Sequence, residues 1–142
     1  MIVLRPATMA DAGLLLRWRN DPATRAASVN PAEVGRQEHL AWLEASLRSP
    51  TRTLLVAELD GAPVGTVRID RGAETELSWT VAPGHRGKGL GKAMVQAAVP
   101  EGDVVARIAR DNAASQAIAL AAGFTLEEDG ALQRWRRASR RS

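Results

Sequence analysis

The stretch TELSWTVAPGHRGKGLGKAMVQAAV, residues 75–99, constrains the fold more than any other part of the chain. Its first seven residues alternate. Leu77, Trp79 and Val81 share one face, and Glu76, Ser78 and Thr80 share the other, which is the period of a half-buried strand. Pro83 and Gly84 close that strand. Three glycines follow at Gly87, Gly89 and Gly91, with the chain's only two lysines, Lys88 and Lys92, among them. Leu90, Ala93, Met94, Ala97 and Ala98 then recur at the spacing of a buried helix face. A strand that runs through a bare, positive loop into a helix presents the first N–H groups of that helix at the loop's mouth. Those groups have no partner inside the helix, and the helix dipole adds partial positive charge there. Glycine lets a phosphate oxygen approach the backbone closely, so 84–92 reads as a pyrophosphate cradle.

The rest of the chain supplies elements around this unit. IVLRPA (2–7) reads as a short strand, and Thr8 with Asp11 makes a capping box for a helix over about 9–18. Asp21-Pro22 ends that helix, because the residue before proline avoids the helical conformation, and a loop is expected to about residue 30. Asn30-Pro31-Ala32-Glu33 has the chemistry of a helix start, and Leu40, Leu43 and Leu47 keep one face apolar as far as Ser49-Pro50. Residues 53–59 and 63–69 flank Asp60-Gly61, a hairpin signal. After the central unit come a strand at 104–109 and a helix from Asp111 or Asn112 that stops at Gly123 in the C′ position. A final hairpin pairs 124–129 with 131–136. The order is β-αα-βββ-α-β-α-ββ. It predicts a single α/β (α+β) domain, with a mixed, mostly antiparallel sheet of about six or seven strands and about four helices on both faces.

The 142 residues fit one domain with its own core. No apolar run reaches the length of a membrane span, and the N-terminus lacks the basic region of a signal peptide, so a cytoplasmic protein with no membrane partner is expected. The chain has no cysteine, which excludes disulfides, a thiolate nucleophile and thiolate metal ligands; no metal is expected. The net charge of +3 suits an anionic ligand without naming one. Five arginines in RWRRASRRS (134–142) could serve a nucleic acid, but a solvated last strand with a flexible basic tail over about 137–142 is the simpler reading, so no nucleic-acid partner is expected. Open strands at the C-terminus leave room for a homodimer.

Two well-known phosphate loops fail here. A Walker A loop needs G-x-x-x-x-G-K-[ST]; counting back from Gly91-Lys92 gives Arg86 at its first position and Ala93 at its last. A dinucleotide fingerprint, G-x-G-x-x-G, meets Lys92 or Met94 where its third glycine belongs. What remains is Arg86-x-x-Gly89-x-Gly91 behind a strand, with NAASQAIALAAGF at 112–124. These two segments and the element order resemble the GNAT superfamily of acyl-CoA-dependent N-acyltransferases over essentially the whole chain. The resemblance implies acetyl-CoA as co-substrate. It implies that the backbone of Trp79, Thr80 and Val81 binds the pantetheine arm and thioester. Arg86, Gly87, Lys88, Gly89, Leu90, Gly91 and Lys92 would then hold the pyrophosphate, and Asn112 would bond the cofactor from the next helix.

Acyl transfer to an amine needs a base, because an alkyl amine with a pKa of about 10 is mostly ammonium at neutral pH. Without cysteine, direct attack in a ternary complex is expected rather than a covalent acyl-enzyme. Glu76, on the polar face of the strand that would present the thioester, is the first candidate base; Glu38 and His39 are alternatives. Many relatives place a tyrosine acid seven residues after the asparagine of the second segment. Here that position is Ala119, and the chain has no tyrosine, so water or Ser115 would have to assist a thiolate that leaves tolerably by itself. Residues 14–30 and 38–43 resemble a W-R-N-D-P…H-x-x-W pattern of relatives that acetylate amino-sugar nucleotides or ribosomal-protein N-termini. Arg17, Arg19 and Arg25 could then meet a diphosphate, and Trp18 and Trp42 could stack on a ring. The expected function is acetyl transfer to a primary amine of a small molecule. A non-catalytic acyl-CoA-binding module of the same fold is the rival.

Overall fold

The computed structural model describes residues 1–28 and 30–138. Its elements, in chain order, are β1 (Ile2–Pro6), a 3-10 turn (Met9–Asp11), α1 (Ala12–Asn20), α2 (Pro22–Ala27), α3 (Arg36–Arg48), β2 (Arg52–Leu59), β3 (Ala62–Arg71), β4 (Thr75–Val81), α4 (Leu90–Ala98), β5 (Val104–Ala109), α5 (Ala113–Ala121), β6 (Thr125–Glu128) and β7 (Leu132–Arg137). Local signals account for many of the boundaries. Thr8 and Asp11 form the reciprocal capping box, with Asp11 accepting from the Thr8 N–H at 2.8 Å. Asp60 (φ 51°) and Gly61 (φ 83°) make the β2–β3 turn in the left-handed region that a two-residue hairpin needs.

Two N-terminal expectations give way to the structure. The loop expected after Asp21 contains α2, whose N-cap is Asp21 itself; its carboxylate accepts from the Thr24 N–H at 3.1 Å, with Pro22 at the first helical position. The same Asp-Pro pair thus ends one helix and starts the next, because proline is pre-set for a helix's first turn. Among the described residues there are thus five α-helices rather than four. The helix expected from Asn30 begins only at Arg36, with Gly35 as its N-cap. Asn30 caps a turn instead, accepting from the Ala32 N–H. The side chain of Asn20 holds Val34 from both sides, donating to its carbonyl and accepting from its N–H at 2.8 Å each. These tertiary bonds satisfy the backbone of the segment without a helix.

The seven strands form one sheet in the order β1-β2-β3-β4-β5-β7-β6, antiparallel throughout except for the β4–β5 pair. One face carries α4 and α5, with Val67, Ile69, Leu77, Met94, Val95, Ala119, Phe124 and Trp135 in its core. The other carries α1 and α3, which bury Leu15, Trp18 and Leu43 against Leu54 and Val56 of β2. Beyond these helices, charged side chains cover the strands: Arg134 pairs with Glu74 and Glu127, Arg136 pairs with Glu127, and Arg107 pairs with Glu76. Two of the five arginines in 134–142 are thus paired within the sheet, ahead of the expected tail. Arg137 ends β7 and donates to the Ala122 carbonyl at 3.1 Å. The remainder of the expected tail, 139–142, lies outside the described residues.

Candidate active site

Strands β4 and β5 are hydrogen-bonded neighbours only at their start, where Thr75 faces Val104 and Glu76 faces Val105. Beyond Glu76 they part, while β5 continues along its six-residue antiparallel ladder with β7. In the β3–β4 ladder the Ala82 N–H donates to the Val64 carbonyl, which fixes the alternation: Leu77, Trp79 and Val81 turn their N–H and C=O groups away from β3, toward the splayed opening. A cleft of about 830 Å³ fills that opening. Trp79, Thr80, Val81, Arg86, Gly87, Gly89, Leu90, Gly91, Lys92 and Asn112 all line it. Lys88 and Glu76 do not.

The glycines serve different physical needs. Gly87 (φ 77°) and Gly89 (φ 74°) occupy the left-handed region, and Gly89 is the N-cap of α4. A Cβ at either position would meet no atom within 4 Å, so the backbone conformation, rather than crowding, requires glycine there. Gly91 is the opposite case. A Cβ there would collide with Ile118 Cδ1 and lie 3.2 Å from Val81 Cγ2, so this glycine sets the approach of α4 to α5 and β4. The first amides of α4 therefore open on the cleft beside Lys92. Asn112 caps α5, its Oδ1 accepting from the Ser115 N–H at 3.1 Å, and brings a second helix start to the same wall. Two helix N-termini, two left-handed glycines and a lysine fit a pyrophosphate.

Arg86 reaches away from the loop's own backbone. Its guanidinium donates to Thr24 Oγ1 at 2.5 Å and to Asp21 Oδ2 at 3.3 Å. The Thr24 N–H, and then Arg86, hold the Asp21 carboxyl below its ordinary value. The loop is thereby fastened to α2, across a sequence separation that no local pattern reveals.

A second cavity of about 330 Å³ lies on the α1–α3 side of β4. Arg19, Glu38, His39 and Trp42 line it from the helices, and Thr66, Arg68, Ser78, Trp79 and Thr80 from the sheet. Arg19, Asn30, Arg68, Ser78, Trp79 and Thr80 also belong to the first cleft, so the two spaces meet across β4. Of the three arginines considered for a diphosphate, only Arg19 lines either space. Trp18 is core, whereas Trp42 lines the cavity with its ring 5.4 Å from that of His39. The sheet-side wall was legible in principle, since period 2 in β3 sets Thr66 and Arg68 on the polar face beside Ser78 and Thr80.

His39 is 4% exposed. Burial, and then the positive charge of Arg19, push its pKa below the ordinary 6.5, so the imidazole is neutral at pH 7. In the unfolded chain it titrates near ~6.5. As pH falls below that value the unfolded state takes up the proton first, and stability is lost through the window down to the folded pKa. Carboxylates stay ionised in both states above about pH 5. The urea midpoint is therefore expected to fall between pH 7.5 and pH 5.5, and His39→Gln is expected to flatten that slope. An unchanged slope in the variant would refute the buried neutral imidazole.

A model of the acetyltransferase (GNAT) domain matches residues 1–125. No curated protein matches. Among solved structures, a spermidine N-acetyltransferase from Vibrio cholerae in complex with CoA and spermine superposes with a TM-score of 0.82 at 15% identity, over 97% of this chain and 95% of that one. A putative acetyltransferase, yncA, from Salmonella typhimurium with its cofactor acetyl-CoA gives 0.78 at 25% identity, over 100% and 96%. The aminoglycoside acetyltransferase AAC(6')-Ib with coenzyme A and kanamycin gives 0.84 at 18% identity, over 97% and 95%.

Proposed function

The chain belongs to the GNAT acetyltransferase family and uses acetyl-CoA, and from that premise we propose that it transfers the acetyl group to a primary amine of a small molecule held in the cavity beside Arg19, His39 and Trp42. The observation that carries this reading is the meeting of the two spaces across Ser78, Trp79 and Thr80, where one strand walls both. When bound, the coenzyme supplies the activated thioester. The amides at the start of α4 and Lys92 hold its phosphates. The splayed edge of β4, with Trp79 and Val81, orients the pantetheine arm and offers N–H groups to the thioester oxygen.

Proton removal from the acceptor ammonium falls to His39. It stands on the cavity wall, and burial keeps it neutral. Glu76, the first candidate on sequence, lines neither space, and its carboxylate accepts from Arg107 at 2.5 Å, which supports a structural role for it. Glu38 lines the cavity but is exposed. No phenol stands by the departing thiolate, since the chain has no tyrosine and Ala119 is fully buried in the core; Ser115 is one of the hydroxyl residues on the cleft wall, with Thr24, Ser28, Ser78 and Thr80. The cavity lies at the small end of the range for ligand sites, about 300–1,000 Å³, which favours an acceptor of amino-acid or monosaccharide size. An amino-sugar nucleotide is the second reading, supported by Arg19 and the half-exposed ring of Trp42.

The test is thiol release from acetyl-CoA in the presence of a panel of small primary amines. At least one amine is expected to raise release well above hydrolysis. CoA binding by calorimetry without release for any amine would instead mark a non-catalytic acyl-CoA sensor.

A further inference from the structure

Among the described residues, three buried side-chain atoms lack a hydrogen-bond partner within the protein: Arg19 Nη1, His39 Nδ1 and Trp79 Nε1. Arg19 and His39 line the smaller cavity from the helices, whereas the Trp79 ring packs on the other face of the sheet, 6.1 Å from that of Phe124. Guanidinium and indole nitrogens can only donate. A buried donor left unmade is costly, and more so when it is charged. The helix-side wall of this cavity thus holds a charged donor whose hydrogen-bonding capacity is unmet.

The charges point the same way. The Nη2 of Arg19 donates to the neutral carbonyl of Asn30 at 2.7 Å, and no carboxylate among the described residues forms an ion pair with that guanidinium. Arg68 reaches Asp70, but Asp70 also accepts from Arg52, so one carboxylate serves two guanidiniums. His39 is neutral at pH 7. The acid facing this group is Glu38, which is exposed. A polycation would bring its charges against Arg19 and Arg68 with little to balance them.

Resting on the acetyltransferase reading, we infer that the acceptor is an amine that also carries an anionic oxygen group, a carboxylate or a phosphate, which Arg19 grips. Arginine suits this task because its planar fork matches the oxygens of either anion. The same grip places the acceptor between His39 and β4, so charge recognition and alignment of the amine come from one contact. Polyamines and aminoglycosides, which carry no such anion, are poor acceptors.

The experiment compares matched pairs by thiol release from acetyl-CoA: α-amino acids against their carboxamides, and glucosamine 6-phosphate against glucosamine, with spermidine and kanamycin as polycations. The anionic member of a pair is expected to exceed its neutral partner at least tenfold in kcat/KM, and which pair responds separates carboxylate from phosphate. Arg19→Gln is expected to remove that preference, with the loss appearing in KM, and Arg19→Lys to restore part of it. Equal turnover of charged and neutral partners, better turnover of a polycation, or an equal loss for both partners in Arg19→Gln would each overturn the inference while leaving acetyl transfer standing. Calorimetry with CoA, run in parallel, marks the separate failure: a protein that does not bind the coenzyme defeats the acetyltransferase reading itself.

Discussion

Replacing His39 with alanine is expected to lower kcat by about 10²- to 10⁴-fold, the range over which a positioned general base contributes. The expectation comes from placement. His39 sits near the start of α3, lines the smaller cavity and is buried against the ring of Trp42. Burial and Arg19 hold it unprotonated at neutral pH, so it can take a proton from an ammonium without first losing one. It does not line the larger cleft, proposed above for the coenzyme, so CoA affinity should survive the change, and the loss should appear in turnover. His39→Gln keeps most of the volume and guards against a folding artefact. The acid limb of wild-type kcat should lie below the ordinary imidazole value, and both variants should lack it. Normal turnover and an intact limb in the variants would move the base to Glu38 or Glu76.

Gly89→Glu is expected to weaken CoA binding by about 10³-fold. Gly89 caps the helix whose first amides open on the cleft, with φ at 74° and no atom within 4 Å of the place a Cβ would take. A carboxylate there would stand close to phosphate oxygens. At about 4 Å and an effective dielectric of about 20, one such repulsion is worth about 4 kcal/mol, or roughly three decades in affinity. Asparagine visits the left-handed region more readily than other side chains, so Gly89→Asn separates charge from backbone strain and should lose no more than about tenfold. Calorimetric titration with CoA checks both, and equal losses in the two variants would assign the effect to strain. Gly91 cannot serve this purpose. A side chain there would strike Ile118 and lose binding through the fold.

Local chemistry made much of the fold legible. Alternation in β4 placed Leu77 in the core and Ser78 and Thr80 on the cavity side, and Asp60-Gly61 set the first hairpin. The glycine loop announced a helix start, and that start borders the larger cleft. These features depend on residues within a few positions of one another, where backbone sterics and side-chain period act directly. The N-terminal third misled for the opposite reason. Asn30-Pro31-Ala32-Glu33 has the right cap chemistry, yet Asn20 and Arg19 hold 30–34 by bonds to its backbone, and the helix waits until Arg36.

The candidate site divides along the same line. Sequence alone pointed to the loop side of the candidate site, because a phosphate cradle would be built from consecutive amides and would need only the loop and the helix that follows it. Tertiary structure decided the acceptor side. Arg19, His39, Arg68 and Ser78 come from α1, α3, β3 and β4, and they line one cavity only because α1 and α3 pack over that face of the sheet. The pairing of Glu76 with Arg107, 31 residues away, belongs to the same class. Side-chain charge and burial depend on neighbours distant in the chain, so a residue's acid–base role is fixed only when the sheet brings those neighbours together.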